Sequence, residues 1–102
     1  MINWKALVKR IPTEVQIGPK TVFKVLWAES FPDDCVGVTH FNLKQIHIKL
    51  NQSPKETVLT YLHEVLHAFS DTHDIGLTEK QVSALEKKML YYWIKTGNLF
   101  ID

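Results

Sequence analysis

Apolar positions along this chain follow two rhythms, and the change falls near residue 52. Before it, β-branched and aromatic residues come in short runs separated by Pro and Gly, the pattern of strands and turns. Residues 2–10 carry a short helical pattern, which Pro12 ends. Val15-Gln16-Ile17 alternates, and Gly18-Pro19 turns the chain. Residues 21–27 are a near-continuous apolar run, which predicts a strand buried on both faces or placed centrally. Phe31-Pro32-Asp33-Asp34 reads as a loop. Residues 36–41 and 45–50 are two further strands, joined around Asn42-Leu43-Lys44 into a hairpin. Alternation in the second of them turns Ile46, Ile48 and Leu50 inward, and His47 and Lys49 outward.

After residue 52 the rhythm is helical. Ser53-Pro54-Lys55-Glu56 is a helix start: Ser53 caps, Pro54 suits the first helical position, and Glu56 completes a capping box. The helix runs to about Ser70 or Asp71. Leu59, Leu62, Leu66 and Phe69 form its apolar stripe, widened by Val58 and Val65. Thr78-Glu79-Lys80-Gln81 is a second capping box, and Val82, Leu85, Met89, Tyr92 and Trp93 give the core face of the helix it opens. Gly97 is placed to end that helix. The expected fold is α+β: a small, mostly antiparallel sheet of three or four strands followed by two long helices.

Composition narrows the class. A chain of 102 residues has room for one core, so residues 1–102 are read as a single domain. With 45% hydrophobic and 23% charged residues it is ordinary for a globular fold. Net charge is +1, without the basic surplus that phosphate neutralisation needs, so no nucleic acid is expected as partner. No apolar run approaches the roughly 20 residues of a membrane span. The single Cys35 cannot form an internal disulfide, and the opening residues lack a signal peptide's apolar stretch. The expected setting is the cytoplasm.

The chemistry sits on the first long helix, where residues 63–67 read His-Glu-Val-Leu-His. Histidines four apart lie about 40° apart around a helix and one turn above each other, so both imidazoles reach one ion. Glu64 then lies beside the ion, placed to deprotonate a zinc-bound water and later protonate a leaving amine. This is the HExxH arrangement of zinc metallopeptidases. Glu56, Thr60, His63, Glu64 and His67 share one polar arc of about 100°, with apolar residues around the rest of the wheel. The bland alternative is a solvated face that happens to hold two histidines. Helix stability does not call for them, since His is a mediocre helix former.

A catalytic zinc site usually takes three protein ligands, and three residues compete for the third place. His73 follows His67 at the metzincin spacing, but Ser70 stands where that pattern has a glycine to turn the chain back. Glu79 opens the second helix after a short connection. Glu86 stands 19 residues after His67, a thermolysin-like spacing. His40 and His47 on the hairpin could line a site, but exposed strand histidines are the simpler reading. Cys35 reads as a loop or core thiol. Tyr91, Tyr92, Trp4, Trp27 and Trp93 read most simply as core.

The order of GVTHFNLKQIHIKL, then SPKETVLTYLHEVLHAFSD, then GLTEKQVSALEKKML resembles the compact HExxH metallopeptidase-like proteins of bacteriophages and mobile elements. These are similar to the ImmA/IrrE and SprT-like zincins. The resemblance covers roughly residues 12–96, and its most specific parts are His63–His67 and Gly76-Leu77-Thr78-Glu79. It implies a minimal zincin with one Zn²⁺ per chain, an acidic third ligand on the following helix (which favours Glu79), and a cytoplasmic location, the host's if phage-encoded. It also implies that the strand before the motif helix, residues 45–50, is an edge that pairs with an extended peptide or protein substrate. The departure from the pattern is His73, a spare potential ligand.

The expected function is therefore zinc-dependent peptide hydrolysis, with His63, His67 and Glu79 on the metal and Glu64 as general acid and base. The main alternative is a non-catalytic, zinc-stabilised interaction or regulatory module. A zinc-dependent nuclease is a third: His63, His67 and His73 resemble the three-histidine site of an RNA-processing endonuclease family. That family has Gly where this chain has Glu64.

Overall fold

The computed structural model describes residues 3–31 and 34–96. Gly97 and the side chain of Trp93 lie outside the described residues. The elements are α1 (Trp4–Lys9), β1 (Glu14–Gly18), β2 (Thr21–Ala28), β3 (Gly37–His40), β4 (Gln45–Lys49), α2 (Pro54–Thr72) and α3 (Glu79–Thr96). The class is α+β, as the pattern predicts. The sheet order is β1-β2-β4-β3, with antiparallel pairs at both sides and a parallel pair, β2 with β4, in the middle.

Helix boundaries follow the capping residues. Asn3 accepts the Ala6 N–H at 3.0 Å and starts α1. Ser53 Oγ accepts the Glu56 N–H at 3.2 Å, with Pro54 opening α2. At α3 the box closes in both directions: Thr78 Oγ1 accepts from the Gln81 N–H, and Gln81 Oε1 accepts from the Thr78 N–H. Among the described residues no helix is long and apolar enough to cross a membrane.

The sheet corrects three expectations. β2 is central, but it is not buried on both faces: Phe23 and Val25 are buried, while Val22 and Leu26 are exposed. The long helices lie on one face of the sheet only, so alternate residues of β2 remain in solvent. β4 is not an edge, because it lies between β2 and β3. The hairpin signal told that β3 and β4 are neighbours, but not which of them joins β2. Ile46 and Ile48 are fully buried, and the interior place gives them neighbours on both sides. The two edges are β1 and β3, and β3 is the one that borders the polar arc of α2 at Gly37 and Thr39. Leu50, expected inward, stands past the strand end and is exposed.

The helices are rotated slightly from their predicted faces. α2 buries Val58, Tyr61, Leu62, Val65 and Ala68, while Leu59 is half-buried and Phe69 exposed. On α3, Val82 and Leu90 are buried together with Glu86; Leu85, Tyr91 and Tyr92 are exposed, against the core reading. Trp27 is also exposed, whereas Trp4 packs on the core. α3 packs on α2.

α2 approaches β3 closely at one point. A Cβ on Gly37 would stand 2.6 Å from Thr60 Cγ2 and 3.0 Å from Glu64 Cγ. Only glycine lets the strand and the helix meet there. Gly37→Ala should cost about 1–3 kcal/mol through overpacking, read by urea denaturation. Wild-type stability in this variant would show that β3 has slack against α2.

Candidate metal centre

The polar arc of α2 runs from exposed Glu56 to buried Thr60 and Glu64, with His63 and His67 half-buried. Glu56, Thr60, His63, Glu64 and His67 line a cavity of about 550 Å³. Its opposite walls are residues 34–38 ahead of and within β3, and Glu79, Glu86 and Lys87 of α3.

Within it, His63 and His67 turn their Nε2 atoms toward each other, 3.1 Å apart. The Glu79 carboxylate spans them, with Oε2 3.1 Å from His63 Nε2 and Oε1 2.6 Å from His67 Nε2. Ligand atoms of these three residues lie within 4.8 Å of one another. Three donors bonded to one Zn²⁺ at 2.0–2.1 Å stand about 3.3 Å apart, so the donor set fits the ion with little movement. On its far side, His63 Nδ1–H donates to Glu86 Oε1 at 3.0 Å. A carboxylate can only accept, so this contact fixes the tautomer and leaves Nε2 for a cation.

Electrostatics points the same way. Burial pulls the pKa of His63 down. The hydrogen bond to Glu86, and the charges of Glu86, Glu64 and Glu79, outweigh it and raise the pKa overall. Surroundings that favour a proton there favour other cations too.

Glu64 stands apart from the converging donors. It is only 7% exposed, and Thr39 Oγ1–H donates to its Oε1 at 2.7 Å. Burial pushes its pKa up; the Thr39 hydrogen bond and the charges of His63 and His67 pull down, Glu79 adds to the rise, and the net direction is up. A carboxyl held above its ordinary range in a cavity has the character of a general acid and base.

The other candidates fall elsewhere. His73 is not with the cluster. It caps the C-terminus of α2, and its Nε2–H donates to the Ile17 carbonyl at 2.7 Å. α2 continues through Thr72, so residue 73 points about 120° away from His67. Ser70 keeps the helix going and closes the turn after it, accepting the Leu77 N–H at 2.8 Å. Glu86 reaches His63 at Nδ1, the nitrogen turned away from His67 and Glu79, and does not join the converging Nε2 and Glu79 atoms. His40 and His47 stack at 4.6 Å on the sheet face away from α2. Burial first, and then the charge of His40, lower the pKa of His47. Tyr91 and Tyr92 pack on each other in solvent. Cys35 is an exposed loop thiol at the cavity wall.

Sequence reasoning passed over Gly37, Thr39 and Lys87. The first two carried a signal: the inward positions of β3 hold Gly and Thr where a core strand holds branched apolar residues.

Glu79→Gln should weaken Zn²⁺ binding about 10-fold or more, since losing even a ligand's partner costs about 10–100-fold. His73→Ala should leave the affinity unchanged and lower stability by about 1 kcal/mol, the worth of its hydrogen bond. Competition titration against a zinc chelator, with thermal melts of both variants, reads the pair; the opposite ranking would move the third ligand to His73. Comparison of the chain with protein-family models, with curated proteins and with solved structures finds no match.

Proposed function

We propose that this protein is a zinc-dependent metallopeptidase acting in the cytoplasm. The observation that carries the reading is a buried carboxylate, Glu64, facing the same cavity in which His63 Nε2, His67 Nε2 and Glu79 converge. Folding does not need a carboxylate there, because Gln has nearly the same helix propensity.

His63, His67 and Glu79 would hold one Zn²⁺, with Glu86 orienting His63. When bound, the ion supplies a Lewis acid that polarises a peptide carbonyl and acidifies water to a pKa of about 7. The residues of the chain do the rest. Glu64 takes a proton from the water that attacks the carbonyl carbon. As the C–N bond breaks, it returns that proton to the amine nitrogen. Its raised pKa suits both halves of the task. An extended peptide has a place to pair along β3, the edge strand whose residues line the cavity, instead of the interior strand first expected. The unpaired, exposed Cys35 fits a reducing compartment.

Glu64→Gln should keep zinc content and melting temperature and lose about 10²–10⁴-fold in hydrolysis of fluorescein-labelled, denatured casein. Equal cleavage by wild type and variant would remove Glu64 from the reaction. A zinc-loaded wild type that cleaves nothing would make the zinc-stabilised interaction module the better account.

A further inference from the structure

We infer that Thr39 is a positioning residue that holds the Glu64 carboxylate in its seat on β3, facing the metal site but outside the ligand set. The inference rests on the proposed peptidase reading for its purpose, and on geometry for its substance.

Thr39 and Gly37 occupy alternate positions of β3, on the face turned to α2. They do complementary things to the same side chain. Thr39 Oγ1 lies 2.7 Å from Glu64 Oε1 and 3.1 Å from the Glu64 carbonyl oxygen. Its one proton serves the shorter, charge-assisted contact. Gly37 provides room: a Cβ there would stand 3.0 Å from both Cγ and Oε2 of Glu64. One carboxylate oxygen is thus tied to the strand, and the other lies where a larger residue would displace it.

The tie has a chemical consequence. A glutamate next to His63 on the same helix has three rotatable bonds with which to swing toward the cluster of His63, His67 and Glu79. Joining the His63, His67 and Glu79 donors would turn a base into a fourth ligand and close the open position a catalytic metal needs. The Thr39 hydroxyl opposes that swing, and Glu64 is absent from the converging group. Because β3 is an edge strand and lines the cavity, the seat lies on the strand that an extended substrate would engage.

The test compares wild type, Thr39→Val and Thr39→Ser. Valine is isosteric and a good strand former, serine keeps the hydroxyl, and Thr39→Ala repeats the comparison should the valine variant fail to fold. In metal-free protein labelled with ¹³C-glutamate, relaxation at Glu64 Cγ reports how firmly the side chain is held. Wild type and Thr39→Ser should be rigid, and Thr39→Val should fall below an order parameter of about 0.6. With zinc loaded and denatured casein as probe, Thr39→Val should lower kcat by about 10–100-fold at unchanged KM, and Thr39→Ser should restore it. Glu64 as rigid in Thr39→Val and Thr39→Ala as in wild type overturns the inference, as does a loss of kcat that serine does not restore. Absence of cleavage by the wild type counts against the peptidase reading alone, and the relaxation data still decide the clamp.

Discussion

α2 is packed on nearly every side, and the rest of the molecule follows from that constraint. α1, α3 and the strands β1, β3 and β4 all pack against it. A helix so enclosed must be apolar around most of its girth, and a polar group it keeps costs free energy unless it finds a partner inside the fold; Tyr61 Oη and Thr72 Oγ1 are buried without a hydrogen-bond partner among the described residues. The partners are visible along its length. Thr57 donates to the Ser53 carbonyl, Thr60 to Gln52 Oε1, and His63 to Glu86, while Glu64 accepts from Thr39. The first two secure the start of the helix, and the last two tie it to α3 and β3. The polar arc of α2, with Thr60, His63, Glu64 and His67, faces the cavity.

That arc concentrates negative charge. Glu64, Glu79 and Glu86 surround two imidazoles that carry no charge at neutral pH unless protonated. Two like charges about 4 Å apart repel by about 4 kcal/mol at an effective dielectric constant of about 20. The exposed Glu79 is screened well below that figure, and the charge of Glu79 adds to the rise that burial gives the Glu64 pKa. Their combined field still outweighs the burial of His63 and turns its pKa upward. In the proposed reading a divalent cation relieves the same strain more fully than a proton does, because it meets two nitrogens and a carboxylate at once.

The sheet sets what can approach. It carries helices on one face, and β3, one of its two edges, lines the cavity. β3 has traded core-filling side chains for small and polar ones, Gly37 and Thr39, where it crosses α2. An edge built this way contributes little apolar burial, which the fully buried Ile46 and Ile48 of β4 supply next door.

Much of this was legible in the chain. Capping residues act locally, so Ser53, Thr78 and Gln81 marked helix starts that the structure keeps. The i, i+4 spacing of His63 and His67 is a property of one helix, and it brought their rings together whatever surrounds them. Periodicity located α2 and α3 but misjudged their faces by part of a turn. Leu85 and Tyr92 on α3 are exposed, and Glu86 is buried, because the neighbour that defines the face is another helix. Which strand lies at the edge, which acid reaches both histidines, and where His73 turns all depend on contacts between segments far apart in sequence. Glu79 spans His63 and His67 because α3 folds back along α2. Thr39 meets Glu64 across 25 residues. No spacing rule connects such pairs; only the packing of β3 and α3 onto α2 decides them.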